Sequence, residues 1–248
     1  MIDDKRKRII TGIDIGTTKI AVVIAEWSEN NEIKIMGIGK SISNGLKRGV
    51  VVNIAETVRS INKAIKQAEK QADFEVNEAL VGITGDNIRR INCSGVITVN
   101  KNNNRQPIGQ KISQSDIERV LEHAQSINIS PDKRILHVLT QDFKVDDRGG
   151  IKNPEGLSGH RLEAKVHLVT SLINTEKDIR TCMDKVGIEI LDFVLEPLAS
   201  AYSVLSIDER ELGVVLIDIG GGTTDVIVYR DGGVMHAGAI GIGGTNIS

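Results

Sequence analysis

The sequence predicts an α/β protein with two related lobes, of which the first is complete and carries an inserted subdomain and the second is only begun. Three observations support this prediction. Strand-like and helix-like apolar patterns alternate along most of the chain, a hairpin with an aspartate-glycine turn occurs near both ends, and polar loops dominate residues 85–159. Two copies of one hairpin imply two similar lobes, and the change in composition between them indicates an insertion.

The first lobe begins with three apolar segments that have the length of strands. Joined by short polar turns, they predict a β-meander. The segments are 10–15, 20–25 and 33–39. A helix is predicted from Ile54 to Ala72, because apolar residues recur there at intervals of three and four. Asn53 and Glu56 have the spacing of an N-cap residue and its reciprocal partner.

The inserted subdomain is predicted to hold one short helix and two or three strands. Its helix runs from about Asp116 to Ile127, with Ser115 as the N-cap residue and Glu118 three residues later. Strands are predicted at 135–139 and at 161–170, and the second of these alternates strictly. Its buried face is expected to be Leu162, Ala164, Val166 and Leu168, and its solvated face Arg161, Glu163, Lys165 and His167.

The remaining segments continue the alternation of helix and strand. A helix from Glu176 ends before Gly187, which suits a left-handed cap, and Pro197 opens the next helix. Strands are predicted at 188–195, 214–219, 226–229 and 234–240. Residues 212–248 contain too little apolar material for an independent lobe, so we expect the sequence to be a fragment or a shortened product.

The composition restricts the classes of function. With 248 residues, 40% of them hydrophobic and 26% charged, the chain has an ordinary globular composition. The net charge of −2 gives no reason to expect a nucleic-acid partner, and the basic cluster at residues 5–8 has the features of a solvated terminus. Cys93 and Cys182 lack the spacing of a zinc site, and no apolar run is long enough to cross a bilayer. A reducing cytosol is therefore the predicted location.

The repeated hairpin is the most informative feature of the sequence. Residues 13–20 read IDIGTTKI, and residues 217–226 read IDIGGGTTDV. Each copy has an apolar strand that ends in aspartate, a turn rich in glycine and threonine, and a second strand that leads back. Both copies therefore predict a β-hairpin with a polar tip.

The two tips have the chemistry that a polyphosphate requires. Glycine lets backbone N–H groups approach phosphate oxygens, and threonine hydroxyls add donors at little volume. Asp14 and Asp218, one from each lobe, suit a Mg²⁺ ion that keeps most of its water ligands, and Lys19 supplies a positive charge. The predicted nucleotide-binding residues of the hairpins are Asp14, Gly16, Thr17, Thr18, Lys19, Asp218, Gly220, Gly221, Gly222, Thr223, Thr224 and Asp225.

Ordinary glycine turns are the competing interpretation of either hairpin taken alone, because aspartate and glycine are common turn residues. The matched pair, separated by enough chain to build a lobe, favours the phosphate interpretation. Neither copy fits a P-loop or a dinucleotide fingerprint, since both copies run from strand to strand and those motifs run from strand to helix. The five histidines lack metal-ligand spacing, and no nucleophile with a recognisable base partner supports covalent catalysis.

These motifs resemble the phosphate 1 and phosphate 2 loops of the actin, Hsp70 and sugar-kinase superfamily. Residues 195–201 (LEPLASA) resemble its first connecting element, and residues 241–246 (GIGGTN) resemble the glycine turn after phosphate 2. The resemblance is to the FtsA family in particular over 136–139, Asp146, 151–159, 161–164 and 166–167. The fold that it implies is an actin-like (ribonuclease H-like) α/β lobe with an inserted FtsA-specific subdomain.

The resemblance also implies domain boundaries. Residues 1–84 and 163–200 would form subdomain 1A of the first lobe. Residues 85–162 would form the inserted subdomain 1C, which contributes to self-association in this family. Residues 201–248 would begin subdomain 2A of an incomplete second lobe.

Further site residues are implied by the resemblance. Glu196 falls where the superfamily positions the attacking water, although it could equally be no more than the residue before a proline-started helix. Gly243, Gly244 and Thr245 are expected to meet phosphate or ribose from the second lobe.

The function implied is that of a division protein that binds ATP and Mg²⁺, with at most weak ATPase activity. Such a protein polymerises into filaments, tethers the FtsZ ring to the inner membrane and recruits later division proteins. It lies in the cytoplasm, at the cytoplasmic face of the membrane at the division site, where a C-terminal helix absent from this sequence binds the membrane. A small-molecule kinase and a chaperone-type ATPase are the alternatives, but the sequence shows no sugar-binding carboxylate segment.

Overall fold

The computed structural model describes residues 8–28, 32–85, 88–99 and 110–246. Residues 5–7 of the basic cluster therefore lie outside the described residues. The strands are β1 (Arg8–Ile15), β2 (Lys19–Trp27), β3 (Ile33–Ile42), β4 (Leu46–Lys47), β5 (Val50–Val51), β6 (Glu78–Ile83), β7 (Arg89–Thr98), β8 (Gln110–Lys111), β9 (Lys133–Val145), β10 (Arg148–Ile151), β11 (Ser158–Gly159), β12 (Arg161–Leu172), β13 (Glu189–Leu195), β14 (Val214–Ile219), β15 (Thr224–Arg230) and β16 (Gly233–Ile240). The helices are α1 (Ile54–Ala72), α2 (Gln114–Gln125), α3 (Ile173–Val186), α4 (Glu196–Val204), α5 (Ile207–Leu212) and a 3₁₀ turn at Gly244–Asn246.

A five-stranded sheet in the order β13-β6-β1-β2-β3 forms the base of the first lobe. The predicted meander is confirmed, because β1, β2 and β3 pair antiparallel in sequence order. β6 and β13 then add in parallel on the β1 side. The carboxyl ends of β1, β6 and β13 consequently meet at one edge of the sheet, which is where parallel α/β sheets bind ligands.

Helix α1 packs on β3 and has the predicted bounds. The packing is close, since a Cβ added at Gly39 would lie 1.8 Å from the Ala64 carbonyl oxygen. The Asn53 side chain caps the helix by accepting from the Glu56 N–H at 3.1 Å. The reciprocal half of the predicted cap is wrong, because the Asn53 N–H donates to the Gly45 carbonyl at 3.0 Å.

The inserted segment forms a separate sheet in the order β10-β9-β12-β7, on which α2 packs. The predicted start of α2 is two residues too late, and the predicted cap residues are also wrong. Ser113 is the N-cap residue, and its backbone N–H donates to the Asp116 carboxylate at 2.9 Å. Both candidate pairs, Ser113–Asp116 and Ser115–Glu118, have the capping-box spacing, and Asp116 is the acid that becomes buried (2% exposed).

Strand β12 confirms the predicted buried face, since the side chains of Leu162, Ala164, Val166 and Leu168 are fully buried. The prediction of a solvated opposite face is wrong at His167, which is 2% exposed. β16 packs against β12 here, with the ring of His236 6.4 Å from that of His167. Alternation therefore gives the direction of a side chain, and the element packed against that face determines its burial.

The second half of the chain follows the predicted order. Gly187 ends α3 in the left-handed region at φ 85°, and Pro197 lies in the first turn of α4. Helix α5 is an addition to the prediction, and it begins at a capping box formed by Ser206 and Glu209. β14, β15 and β16 form an antiparallel three-stranded sheet that begins the second lobe.

Buried apolar residues form two clusters. One cluster joins the five-stranded sheet, α1 and α3 to residues of β15 and β16 such as Ile227 and Ala237. The other belongs to the inserted segment and is centred on β9, β12 and α2. The domain boundaries implied by the resemblance stay predictions. Among the described residues, no helix has the length and apolar character needed to cross a membrane.

Candidate functional site

The two repeated hairpins have the same turn. In β1–β2 the Gly16 N–H donates to the Lys19 carbonyl at 3.1 Å, and in β14–β15 the Gly220 N–H donates to the Thr223 carbonyl at 2.9 Å. Each turn therefore closes at the glycine that follows the Asp-Ile pair of the motif. The repeat in the sequence is a repeat in local structure.

The hairpin tips face each other at close range. A Cβ added at Gly221 would lie 2.0 Å from the Thr18 methyl carbon, and one added at Gly222 would lie 2.9 Å from the Thr17 methyl carbon. Glycine is therefore required in the second tip for this approach. The Thr17 hydroxyl also accepts from the Gly49 N–H at 3.2 Å, which ties the first tip to the β4–β5 loop.

A groove of about 380 Å³ lies beside the tips, and its lining comes from both lobes. Asp14 is the penultimate residue of β1, Glu196 begins α4, and Asp218 comes from β14, and all three line the groove. Gly12 and Gly82 lie on its floor, where the sheet presents backbone. The structure thus brings Asp14, Asp218 and Glu196 to one cavity.

The carboxyl groups of Asp14 and Glu196 lie close enough for each to shift the pKa of the other. Burial raises the pKa of Glu196 well above its ordinary value, and repulsion by the Asp14 carboxylate adds to this rise. Burial also raises the pKa of Asp14, against an opposing attraction from Lys19. Glu196 Oε1 is buried and has no hydrogen-bond partner among the described residues. These groups therefore form a site of concentrated negative potential that can accept a cation.

Asp218 and Asp225 are paired across the second hairpin and have different surroundings. Asp218 is exposed to the groove and accepts from the Ser200 hydroxyl at 2.8 Å. Asp225 is 5% exposed and accepts from the Thr84 hydroxyl at 2.7 Å. Asp225 is therefore held against the first lobe, outside the lining of the groove.

The glycine turn at the end of the described chain folds back on the second tip. The Gly244 N–H donates to the Gly220 carbonyl at 2.9 Å, and the Thr245 N–H donates to the Gly221 carbonyl at 3.0 Å. A Cβ added at Gly243 would lie 2.6 Å from the Gly220 carbonyl oxygen. The three residues proposed from the resemblance thus lie beside the second hairpin. The nucleotide-binding assignments of the hairpins and of this turn stay predictions.

Sequence reasoning missed the first-lobe residues that hold the second hairpin, Thr84 and Ser200. The available signal was positional, because Thr84 follows a strand parallel to β1 and therefore lies at the same sheet edge as Asp14. Ser200 lies one turn after Glu196 on α4, which places the two on one face of the helix.

Mg²⁺ fits this site better than an ion that needs a cage of protein ligands. Within the part of the chain that the structure describes, no three His, Cys, Asp or Glu side chains are close enough together to hold a metal ion. Mg²⁺ needs only one or two carboxylates when phosphate and water fill its other positions. Asp14 and Asp218 both line the groove and supply that number.

Residues 85–170 match the family model described as the SHS2 domain inserted in FTSA. Over 97% of its length the chain is 44% identical to the cell division protein FtsA of Pseudomonas aeruginosa, and over all of its length it is 35% identical to FtsA of Escherichia coli strain K12. The chain is therefore similar to FtsA proteins along nearly its whole length. It spans 56% and 57% of the length of these two relatives.

Solved structures confirm the predicted fold class. A chain of the PilM-PilN type IV pilus biogenesis complex superposes with a TM-score of 0.67 at 12% identity, over 97% of this chain and 64% of the other. The ethanolamine utilization protein EutJ from Carboxydothermus hydrogenoformans superposes with a TM-score of 0.51 at 15% identity, over 99% of this chain and 56% of the other. The fold is the actin-like ATPase fold with an FtsA-type insertion, and FtsA relatives are cell-division proteins.

Proposed function

We propose that the chain is the front part of an actin-like division protein that binds Mg-ATP between its two repeated hairpins. The observation that carries this proposal is the common groove of Asp14 and Asp218, which come from matching positions of the repeat. A polyphosphate beside the tips would meet glycine amides and threonine hydroxyls from both sides, with Lys19 as a counter-charge.

The residues of the groove have distinct proposed roles. Asp14 and Asp218 would hold Mg²⁺, largely through water, and the ion when bound would neutralise phosphate charge. Glu196 would position a water molecule from its place beside Asp14. Any hydrolysis should be slow in this proposal, because the nucleotide acts mainly as a structural ligand.

Nucleotide would serve mainly as a structural switch in this proposal. A ligand held by both hairpins favours the closed arrangement, in which it contacts both, over an open one. It can shift this equilibrium only by as much as its affinities for the two arrangements differ. The nucleotide-bound form would self-associate into filaments, bind FtsZ and later division proteins, and act at the cytoplasmic face of the cell membrane at the division site. The support for this role is the identity to FtsA relatives along nearly the whole chain.

The first test is titration calorimetry of this chain with ATP in the presence of Mg²⁺. Asp218→Asn should weaken Mg-ATP binding about 10-fold or more, because a charged ligand to the ion is lost from one wall of the groove. Asp14→Asn should weaken Mg-ATP binding to a similar extent, because it removes the other proposed ligand of the ion. Asp231→Asn is the matched control, because the Asp231 side chain is 74% exposed in the β15–β16 turn. The affinity of this variant for Mg-ATP should equal that of the unaltered chain. Unchanged affinity in both groove variants would contradict the site assignment.

A further inference from the structure

A direct hydrogen bond joins the inserted segment to the backbone at the groove. Strand β13 lies at one edge of the five-stranded sheet, with β6 beside it. At the last residue of β13, the Leu195 N–H donates to Nε2 of His137 at 3.0 Å. His137 belongs to β9, in the sheet of the inserted segment, and β9 and β13 are in contact. An imidazole of the insertion therefore binds the edge of the first lobe.

The backbone that His137 holds is the entry to helix α4. Leu195 is the N-cap residue of this helix, and Glu196 is its first residue. Two contacts of the groove come from α4, since Glu196 lies in the groove lining with Asp14, and the Ser200 hydroxyl donates to Asp218 at 2.8 Å. The start of α4 thus connects the insertion with both proposed ligands of the magnesium ion.

Glu196 has little freedom to adjust if the start of α4 moves. A Cβ added at Gly82 of β6 would lie 3.1 Å from Cγ of Glu196, so the Glu196 side chain lies directly on the sheet. Its Oε1 is buried and has no hydrogen-bond partner in the described part of the chain. In such close packing a displacement of the backbone is passed on to the carboxyl group, because no open space lets the side chain compensate.

The role of His137 as an acceptor requires a neutral ring. Because Nε2 accepts, the ring proton must lie on Nδ1. Burial lowers the pKa of His137, with the charge of Asp192 opposing this change and that of Arg134 adding to it, so the ring is neutral at pH 7. Leu195 is fully buried, and loss of the acceptor would leave its N–H unsatisfied.

We propose that His137 is a positioning residue of the groove, because its imidazole anchors the entry to α4 and thereby holds Glu196 and Ser200 in place. The inserted segment then supports nucleotide binding through a single backbone hydrogen bond. The part of this inference that concerns Mg-ATP rests on the proposed function, and the part that concerns the anchoring of α4 does not.

The experiment compares two substitutions of His137 by titration calorimetry with Mg-ATP. His137→Phe keeps a ring of similar size and removes the acceptor, and it should weaken binding about 5- to 20-fold, within the range usual for coupling between sites. His137→Gln can place its amide oxygen near the position of Nε2 and accept the same N–H. It should therefore recover most of the loss.

His123→Phe is the matched control. Nδ1 of His123 accepts from the Val96 N–H at 3.1 Å, so the same kind of hydrogen bond is removed within the inserted segment. This bond joins α2 to β7, and neither element contributes to the lining of the groove. The affinity of His123→Phe for Mg-ATP should stay within about 2-fold of that of the unaltered chain, even if the variant is less stable.

Hydrogen exchange of the Leu195 amide, followed by NMR without nucleotide, tests the anchoring itself. Exchange should be about 5-fold or more faster in His137→Phe, because the N–H has lost its acceptor, and nearly unchanged in His137→Gln and His123→Phe. An unchanged exchange rate in His137→Phe would overturn the proposal. So would Mg-ATP binding by His137→Phe that is as tight as that of the unaltered chain.

Failure of the proposed function would look different. If the unaltered chain did not bind Mg-ATP, the nucleotide site would be rejected, and amide exchange would still decide whether His137 anchors α4. If His137→Phe were too unstable to purify, His137→Asn would replace it, because the shorter Asn amide reaches the position of Nδ1 and not that of Nε2. Equal Mg-ATP affinities of His137→Asn and His137→Gln would then reject the positioning role.

Discussion

The two copies of the repeated hairpin have the same turn and very different surroundings. Ile13 and Ile217 hold the same place in the repeat, yet Ile13 is 2% exposed and Ile217 is 57% exposed. The same contrast holds two residues later, where Ile15 is 4% exposed and Ile219 is 64% exposed. Equal local sequence has therefore produced equal turns without producing equal burial.

The difference comes from the place of each hairpin in its sheet. β1 and β2 are inner strands, with β6 beside one and β3 beside the other, and α1 covers one face. β14 is an edge strand of a three-stranded sheet, so one side of it has no neighbouring strand among the described residues. Strand pairing and helix packing, which involve distant parts of the chain, decide how much of a hairpin is buried.

The largest expected effect tests this contrast in burial. Ile13→Ala should lower the free energy of unfolding by about 3 kcal/mol, because it leaves a cavity in a closed core. Ile217→Ala makes the same change at the equivalent position and should cost less than about 1 kcal/mol, because its site is largely exposed. Urea denaturation followed by circular dichroism measures both. Equal losses in the two variants would show that the hairpins are buried alike.

The second prediction concerns His167, whose ring lies 6.4 Å from that of His236 on β16, the strand that pairs with the second hairpin. Burial, with lesser contributions from the charges of Arg90 and His236, lowers the pKa of His167 from 6.5 to about 4. Between these values the unfolded chain binds a proton that the folded chain does not. Stability should therefore fall as pH decreases from 6.5 towards 4, by on the order of 2 kcal/mol in total, and this contribution should be constant above pH 6.5.

Unfolding measured at several pH values in the unaltered chain and in His167→Gln isolates this contribution. The difference in free energy between the two should change with pH below 6.5 and stay constant above it. His160→Gln replaces an exposed histidine and should reproduce the pH profile of the unaltered chain. Parallel profiles for His167→Gln and the unaltered chain would indicate that the pKa of His167 is the same in the folded and unfolded states.

The smallest expected effect concerns the contact between the tips. Gly221→Ala should destabilise the chain by about 1 kcal/mol, because the new methyl group would overlap the Thr18 side chain and press the tips apart. Adding Thr18→Ala should recover part of the loss. Gly12→Ala tests the same substitution at a site where an added Cβ meets no atom within 4 Å. An identical cost for Gly221→Ala in the presence and absence of Thr18→Ala would exclude contact between the hairpins.

Local patterns predicted the elements well where a single local interaction decides them. The bounds of α1 follow from its apolar spacing and the Asn53 cap, and the end of α3 follows from Gly187. The start of α2 was wrong because two capping boxes compete within three residues, and burial of Asp116 settles the choice. The short helix α5 was missed because six residues are too few to show a helical period.

The sequence alone determined the repeat, the turn chemistry and the pairing of Asp14 with Asp218 as candidate ligands, because hairpin turns depend on a few adjacent residues. Only the tertiary structure decided that Asp225 lies against Thr84, that Glu196 lies close to Asp14, and that His167 is buried. The physical reason is that burial and charge environment arise where segments distant in sequence meet. A periodic pattern gives the direction of a side chain, and the element packed against it determines whether that side chain is exposed.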